Sequence, residues 1–113
     1  RTGATADPEW LTEAIRIIER EYAMPLSLGS IAARVGVHRA TLAAAFRRYR
    51  NTSAGDCIRE VRLRRATQSL LVTNTPVAEI AFANGFSDQA HFNRVFRLAN
   101  GIPPGAFRKV WRG

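Results

Sequence analysis

Two stretches of the chain carry the same scaffold about one domain-half apart, and this duplication constrains the fold more than any other feature. Ile31, Ala32, Gly36 and Val37 correspond to Ile80, Ala81, Gly85 and Phe86 at a spacing of 49 positions. Leu42, Phe46 and Asn51 correspond to Phe92, Phe96 and Gly101 at a spacing of 50. Each copy reads as a short apolar helical pattern, a glycine, and a second helix with apolar residues at i and i+4. A glycine between two such patterns supplies the bend of a helix-turn-helix. The second copy holds one extra residue in its turn. The polar positions do not correspond, so the buried scaffold repeats and the exposed face does not.

The second copy is the more explicit. Pro76 to Ala83 is a short helical pattern containing Ile80 and Ala81, and GFSDQAHFNRVF follows from Gly85 to Phe96. Ser87 is the expected helix cap, and Phe92, Val95, Phe96 and Ala99 form the expected apolar stripe. The other side of that helix carries Gln89, Ala90, Asn93, Arg94 and Arg97. In the first copy Ser27 is expected to cap a short helix with Leu28, Ile31, Ala32 and Val35 inward, ended by Gly36. A further helix is expected from Arg39 to Arg50, with Leu42, Ala45, Phe46 and Tyr49 inward. Its free face carries Arg39, Ala40, Ala43, Ala44, Arg47 and Arg50.

The remaining segments frame these two copies. Residues 1–6 read as a linker or disordered terminus, and the absence of an initiator methionine suggests a piece of a longer protein. Asp7-Pro8 reads as a capping aspartate with proline at the first helical position. Leu11, Ala14, Ile15, Ile18 and Tyr22 then recur at helical spacing until Pro25. Ser53 is expected to cap a long helix reaching Thr73, with Ile58, Val61, Ala66 and Leu70 inward. About 20 helical residues at ~1.5 Å each span ~30 Å, close to the ~34–36 Å between adjacent major grooves on one face of B-DNA. Asn100-Gly101 ends the second copy, and Pro103-Pro104 starts a last helix packed through Phe107, Val110 and Trp111, with Arg108, Lys109 and Arg112 exposed. The expected fold is all-α: about seven helices forming two helix-turn-helix lobes, 7–52 and 74–113, joined by a linker helix over 53–73.

Charge narrows the partner. The formal net charge is +8, and five of the nine acids fall in the first 21 residues. From Tyr22 onward 14 basic residues face 4 acidic ones. Such an excess favours a polyanion, with nucleic acid first and an anionic membrane surface second. A basic helical module docking an acidic protein, and a nonspecific nucleic-acid binder, are the alternatives. No apolar run approaches the ~18 residues that span a bilayer. The single cysteine, Cys57, excludes an internal disulfide and a cysteine zinc cluster. There is no Gly-rich phosphate loop and no grouped Ser, His and acid, so an enzyme is not expected, and neither is a cofactor or a metal.

The segment PVAEIAFANGFSDQAHFNRVFR (Pro76 to Arg97), followed by GIPPGAFR (Gly101 to Arg108), resembles the C-terminal DNA-binding domain of the AraC/XylS family of bacterial transcription regulators. LSLGSIAARVGVHRATLAAAFRRY (Leu26 to Tyr49) is similar to the family's first helix-turn-helix, and IREVRLRRATQSLL (Ile58 to Leu71) to its linker. The resemblance implies double-stranded DNA as the partner, with two recognition helices in successive major grooves and a cytoplasmic location. It also implies RNA polymerase as a partner of the full regulator, with effector binding and dimerisation in a separate domain. Carried over by position, base contacts fall on Gln89, Ala90, His91 and Arg94, and on Ala40, Ala43 and Ala44; Asn93, polar and outward on the same helix, is a further candidate. Alanine can touch a thymine methyl but cannot hydrogen-bond a base edge. Arg39, Arg47, Arg48, Arg50, Arg62, Arg65 and Arg97 are the expected phosphate contacts.

Overall fold

The computed structural model describes residues 6–112. The expected linker at 1–6 lies, apart from Ala6, outside the described residues. Among these the chain is all-helical, in the order α1 (Glu9–Glu21), α2 (Leu28–Val35), α3 (Arg39–Ala45), α4 (Ala54–Val72), α5 (Val77–Ala83), α6 (Gln89–Asn100) and α7 (Pro104–Arg112). A π-helical turn, Phe46–Arg50, continues α3. The chain divides into two compact units, one ending at Arg59 and the other beginning at Glu60.

In the first unit α2 packs against both α1 and α3. Leu11, Ala14, Ile17 and Ile18 of α1 are buried, as are Ile31 and Ala32 of α2 and Leu42, Ala45 and Phe46 beyond. Ile17 replaces the expected Ile15, which is half-buried. Both isoleucines flank the stripe set by Leu11, Ala14 and Ile18, and spacing alone does not choose between flanks. Asp7 does not cap α1. Pro8 occupies the cap position, its carbonyl accepting from the Leu11 and Thr12 amides. Asp7 lies one residue too early to reach them, and its carboxylate instead accepts from Arg50 Nε at 3.0 Å. The helix ends at Glu21: Pro25, four residues on, has no amide to bond the Glu21 carbonyl, which accepts instead from the Met24 amide at 2.9 Å.

Ser27 caps α2 as expected. Its hydroxyl accepts from the Ser30 amide, and the Ser30 hydroxyl accepts from the Ser27 amide, each at 3.1 Å. This reciprocal box satisfies two amides that a helix start leaves open. Gly36 ends α2 at φ 76°, a left-handed conformation that a side chain resists.

The second unit closes around Ala66 and Leu70 of α4, Ile80 and Ala81 of α5, Phe86, and Phe92 and Phe96 of α6. A row of rings runs through it: Phe86 to Phe92 at 4.8 Å, Phe92 to Phe96 at 5.8 Å, and Phe96 to Phe107 at 5.0 Å. Phe107 therefore packs as expected, but Val110 and Trp111 do not. They are 66% and 67% exposed, since Phe107 already covers Phe96 and Trp111 touches only the edge of that row, 6.0 Å from Phe107. Ala99, expected in the α6 stripe, is also exposed.

The sequence duplication is a duplication of backbone geometry. The Val37 amide bonds the Ala32 carbonyl at 3.1 Å, and the Phe86 amide bonds the Ala81 carbonyl at 3.0 Å. Gly36 and Gly85 both have positive φ, as do Asn51 and Gly101 at the far end of each copy. The extra residue of the second turn has a consequence. Asp88, rather than the expected Ser87, occupies the cap of α6 and accepts from the His91 amide at 2.7 Å. His38 stands at the cap of α3 with no side-chain hydrogen bond.

Candidate nucleic-acid interface

Position within each helix-turn-helix makes α3 and α6 the candidate recognition helices. Both start immediately after the turn and bury one side only. On α3, Ala40 and Ala44 are exposed and Ala43 is half-buried. Arg39, Arg47 and Arg48 flank them, all exposed. The Arg48 guanidinium lies 5.5 Å from the centre of the Tyr49 ring, so its reach is partly set by that face. Arg50 differs from these three, because Asp7 holds both its Nε and Nη2.

On α6, Gln89, Ala90, Arg94 and Arg97 are exposed. His91 is half-buried, its ring 5.7 Å from Phe86 in an edge contact, and its Nδ1 is shielded without a hydrogen-bond partner. Asn93, expected to point outward, is likewise half-buried with a shielded, unpartnered Oδ1. The stripe that buries Phe92 and Phe96 is wide enough to take in its neighbours on either side. Arg94, Arg97 and Leu98 line an open cleft of about 660 Å³ with Asn93, Gly101 and Pro103. On α4, Arg65 is exposed, whereas Arg62 is half-buried and burial pushes its guanidinium pKa down.

Ion pairing separates the arginines into two groups. On the first helix Glu13 holds Arg16 and Arg20 at 3.2 and 3.3 Å. Glu21 takes Arg34 through two bonds of 2.6 and 2.8 Å, and Asp56 takes Arg59 at 2.6 Å. These hydrogen bonds hold the carboxyls of Glu13 and Glu21 below the usual range, and Glu21 raises the pKa of Arg34. Among the described residues, Arg39, Arg47, Arg48, Arg94 and Arg97 make no ion pair. All five belong to the two candidate recognition helices or the turn that extends one of them. Uncompensated guanidinium groups are what a polyanion recruits, because pairing them releases its counterions.

Three residues have roles that helical spacing did not reveal. Asp88 caps α6, and a cap search that weighed aspartate equally with serine would have found it. Arg108 and Arg112, expected to be simply exposed, donate to backbone carbonyls at the end of α4. Their distant partners leave no trace in local periodicity. No group of three or more His, Cys, Asp or Glu suited to a metal occurs among the described residues. No helix there is long and apolar enough to cross a membrane.

A helix-turn-helix domain family matches residues 31–110. The HTH-type transcriptional regulator ArgR of Pseudomonas aeruginosa is 34% identical over 103 residues, covering 91% of this chain and 31% of its own length. The chain thus spans about a third of that relative. An AraC-type DNA-binding domain protein from Chromobacterium violaceum superposes with a TM-score of 0.84 at 37% identity, covering 89% of this chain and 90% of that one. The DNA-binding domain of the transcription factor AdpA, solved with a target DNA, superposes with a TM-score of 0.84 at 25% identity, covering 95% of each chain. The duplicated helix-turn-helix, the unpaired arginines and these likenesses agree, and the chain belongs to the AraC-type helix-turn-helix family of transcription regulators.

Proposed function

We propose that this chain binds double-stranded DNA in a sequence-specific manner, with α3 and α6 entering successive major grooves. The observation that carries this reading is that, among the described residues, five arginines on the two recognition helices and the turn extending α3 (Arg39, Arg47, Arg48, Arg94 and Arg97) make no ion pair, whereas Arg16, Arg20, Arg34, Arg50 and Arg59 each meet a carboxylate. In this reading the lobes are 7–52 and 74–113 and the segment 53–73 joins them, with the later part of its helix also supplying Ala66 and Leu70 to the core of the second unit. The 19 residues of α4 extend ~28 Å at ~1.5 Å each.

Arg94 is the principal base reader, since its planar fork matches the O6/N7 pair of guanine. Gln89 reads adenine in the same way, and Ala90, Ala40 and Ala44 touch thymine methyls or sugars. Arg39, Arg47, Arg48 and Arg97 hold phosphates, with Arg65 and the less accessible Arg62 as further backbone contacts. His91, Asn93 and Ala43 support the helices that carry these groups, and Arg50 ties the end of its helix to Asp7. In the whole regulator, cytoplasmic and working beside RNA polymerase, effector binding and dimerisation belong to another domain.

Selection of bound duplexes from a random library, followed by salt titration of the selected and scrambled sequences, tests the reading. The selected duplex is expected to bind at least about a thousandfold tighter at moderate salt. Equal affinity for both at every salt leaves a nonspecific binder, and no salt dependence leaves a module for another partner. Within the selected site, Arg94→Ala is expected to cost ~1–3 kcal/mol and to relax preference at one base pair.

A further inference from the structure

The second unit contains a cationic tie that reaches the recognition helix through its packing. Arg108 Nε donates to the Leu70 carbonyl at 3.0 Å, and its Nη2 donates to the Thr73 carbonyl at 3.2 Å. Arg112 Nη1 donates to the same Thr73 carbonyl. Leu70 lies in the last turn of α4, and Thr73 follows its end. The last four carbonyls of a helix have no partner within it, and they form the negative end of its dipole. Two guanidinium groups from α7 thus occupy that end from outside the helix.

The residue beside Arg108 connects this tie to α6. Phe107 rests on Phe96 at 5.0 Å, with the rings inclined by 76°. Phe96 is fully buried on α6, two residues after Arg94. Besides Phe107 in the ring row, α7 buries Pro104 at its start, but towards its end Val110 and Trp111 are mostly exposed. The hydrogen bonds of Arg108 and Arg112 therefore fasten α7 beyond its buried start, and α7 meets α6 through Phe107 on Phe96.

We infer that Arg108, seconded by Arg112, is a positioning residue for DNA reading: by fastening α7 to the end of α4 it fixes, through Phe107 on Phe96, the setting of α6 and of Arg94. Neither arginine is a DNA contact in this arrangement, although both would be counted as cations of a basic face from composition alone. The inference rests on the assignment of α6 as the base-reading helix.

The test compares Arg108→Gln, Arg108→Lys and Arg112→Gln with the unaltered chain, using the selected duplex, duplexes altered at single base pairs, and a scrambled duplex. Thermal unfolding is followed in parallel. For Arg108→Gln the expected result is about tenfold weaker binding to the selected duplex, which is ~1.4 kcal/mol. Preference should flatten at the base pairs whose preference Arg94→Ala also alters, with scrambled-duplex affinity and the salt slope kept. Arg108→Lys keeps a charge and can bond one carbonyl, so it should recover part of the preference, and Arg112→Gln should show a smaller loss of the same kind.

Unchanged base preference in both glutamine variants overturns the inference. So does equal weakening on every duplex with a salt slope reduced by about one, which makes Arg108 a phosphate contact. If Arg108→Gln does not fold, Arg112→Gln decides the matter, because Arg112 is exposed and its loss opens no cavity. Should Arg94→Ala itself leave preference intact, the base-reading assignment fails instead, and the two failures are thereby separate.

Discussion

Side chains with similar formal properties have been given different work by their immediate surroundings. Arg50 and Arg47 lie three residues apart on the same widened turn, yet Asp7 holds the first, while among the described residues the second makes no ion pair. Glycine and alanine positions show the same dependence on setting. A Cβ added at Gly36 meets nothing within 4 Å, so the cost of Gly36→Ala is that of forcing an L residue into φ 76°. That cost is ~1–2 kcal/mol, and chemical denaturation should show it as a lower midpoint with an unchanged slope. Ala44, exposed on α3, poses the converse question. Ala44→Gln adds an amide to a face that can otherwise offer only methyl groups, and duplex selection should then gain a new preference at one base pair, with adenine favoured. An unchanged selection profile would mean that this face of α3 does not meet base edges.

At the scale of the element, capping and ion pairing distinguish helices that spacing makes look alike. Asp88 bonds the first turn of α6, and Asp88→Ala should lower stability by ~1 kcal/mol, read as a drop in the unfolding midpoint of the second unit. The two halves of the repeat, the cap at Ser27, the inward face of α4 and the glycine ends were all legible, because each depends on residues within a turn of one another. What escaped was decided over distance or by competition among neighbours. Asp7 is a plausible cap until Arg50, 43 residues away, takes its carboxylate. Trp111 has a core residue's chemistry but lies beyond the point where Phe107 closes the ring row. The π turn at Phe46–Arg50 has no periodic signature of its own. The candidate site was legible in its exposed members, Gln89, Ala90, Arg94 and Arg97, and less so in His91 and Asn93, whose burial depends on how wide a stripe Phe86 and Phe92 shield. On the acid side, Glu21 ties α1 to α2 through Arg34, and its pKa is lowered in the folded chain. The stability this gives is fully present above the ordinary glutamate value of 4.5 and is lost as pH falls through the lowered one. Acid unfolding of Glu21→Gln should accordingly be less steep with pH over that window, and an unchanged acid profile would show that the pair contributes nothing measurable.

For the whole molecule, the division between neutralised and free arginines makes a quantitative statement about DNA binding. Each phosphate neutralised on B-DNA lowers the slope of log K against log salt by ~0.9. If Arg39, Arg47, Arg48 and Arg97 each hold one phosphate, these four alone give a slope of about −3.6, and Arg62 and Arg65 can only steepen it. The formal charge of +8 does not set this number, because paired cations displace few counterions. Single variants separate the roles. Arg97→Gln should flatten the slope by about one while leaving base preference in place. Arg94→Ala should flatten base preference with a smaller effect on the slope, and Arg50→Gln should leave both unchanged because its guanidinium is already held by Asp7. The measurement is affinity for the selected duplex across a series of salt concentrations. A slope that drops equally for Arg50→Gln and Arg97→Gln would show that the Asp7 pair opens on the duplex, and that pairing in the free chain does not decide which arginines meet phosphate.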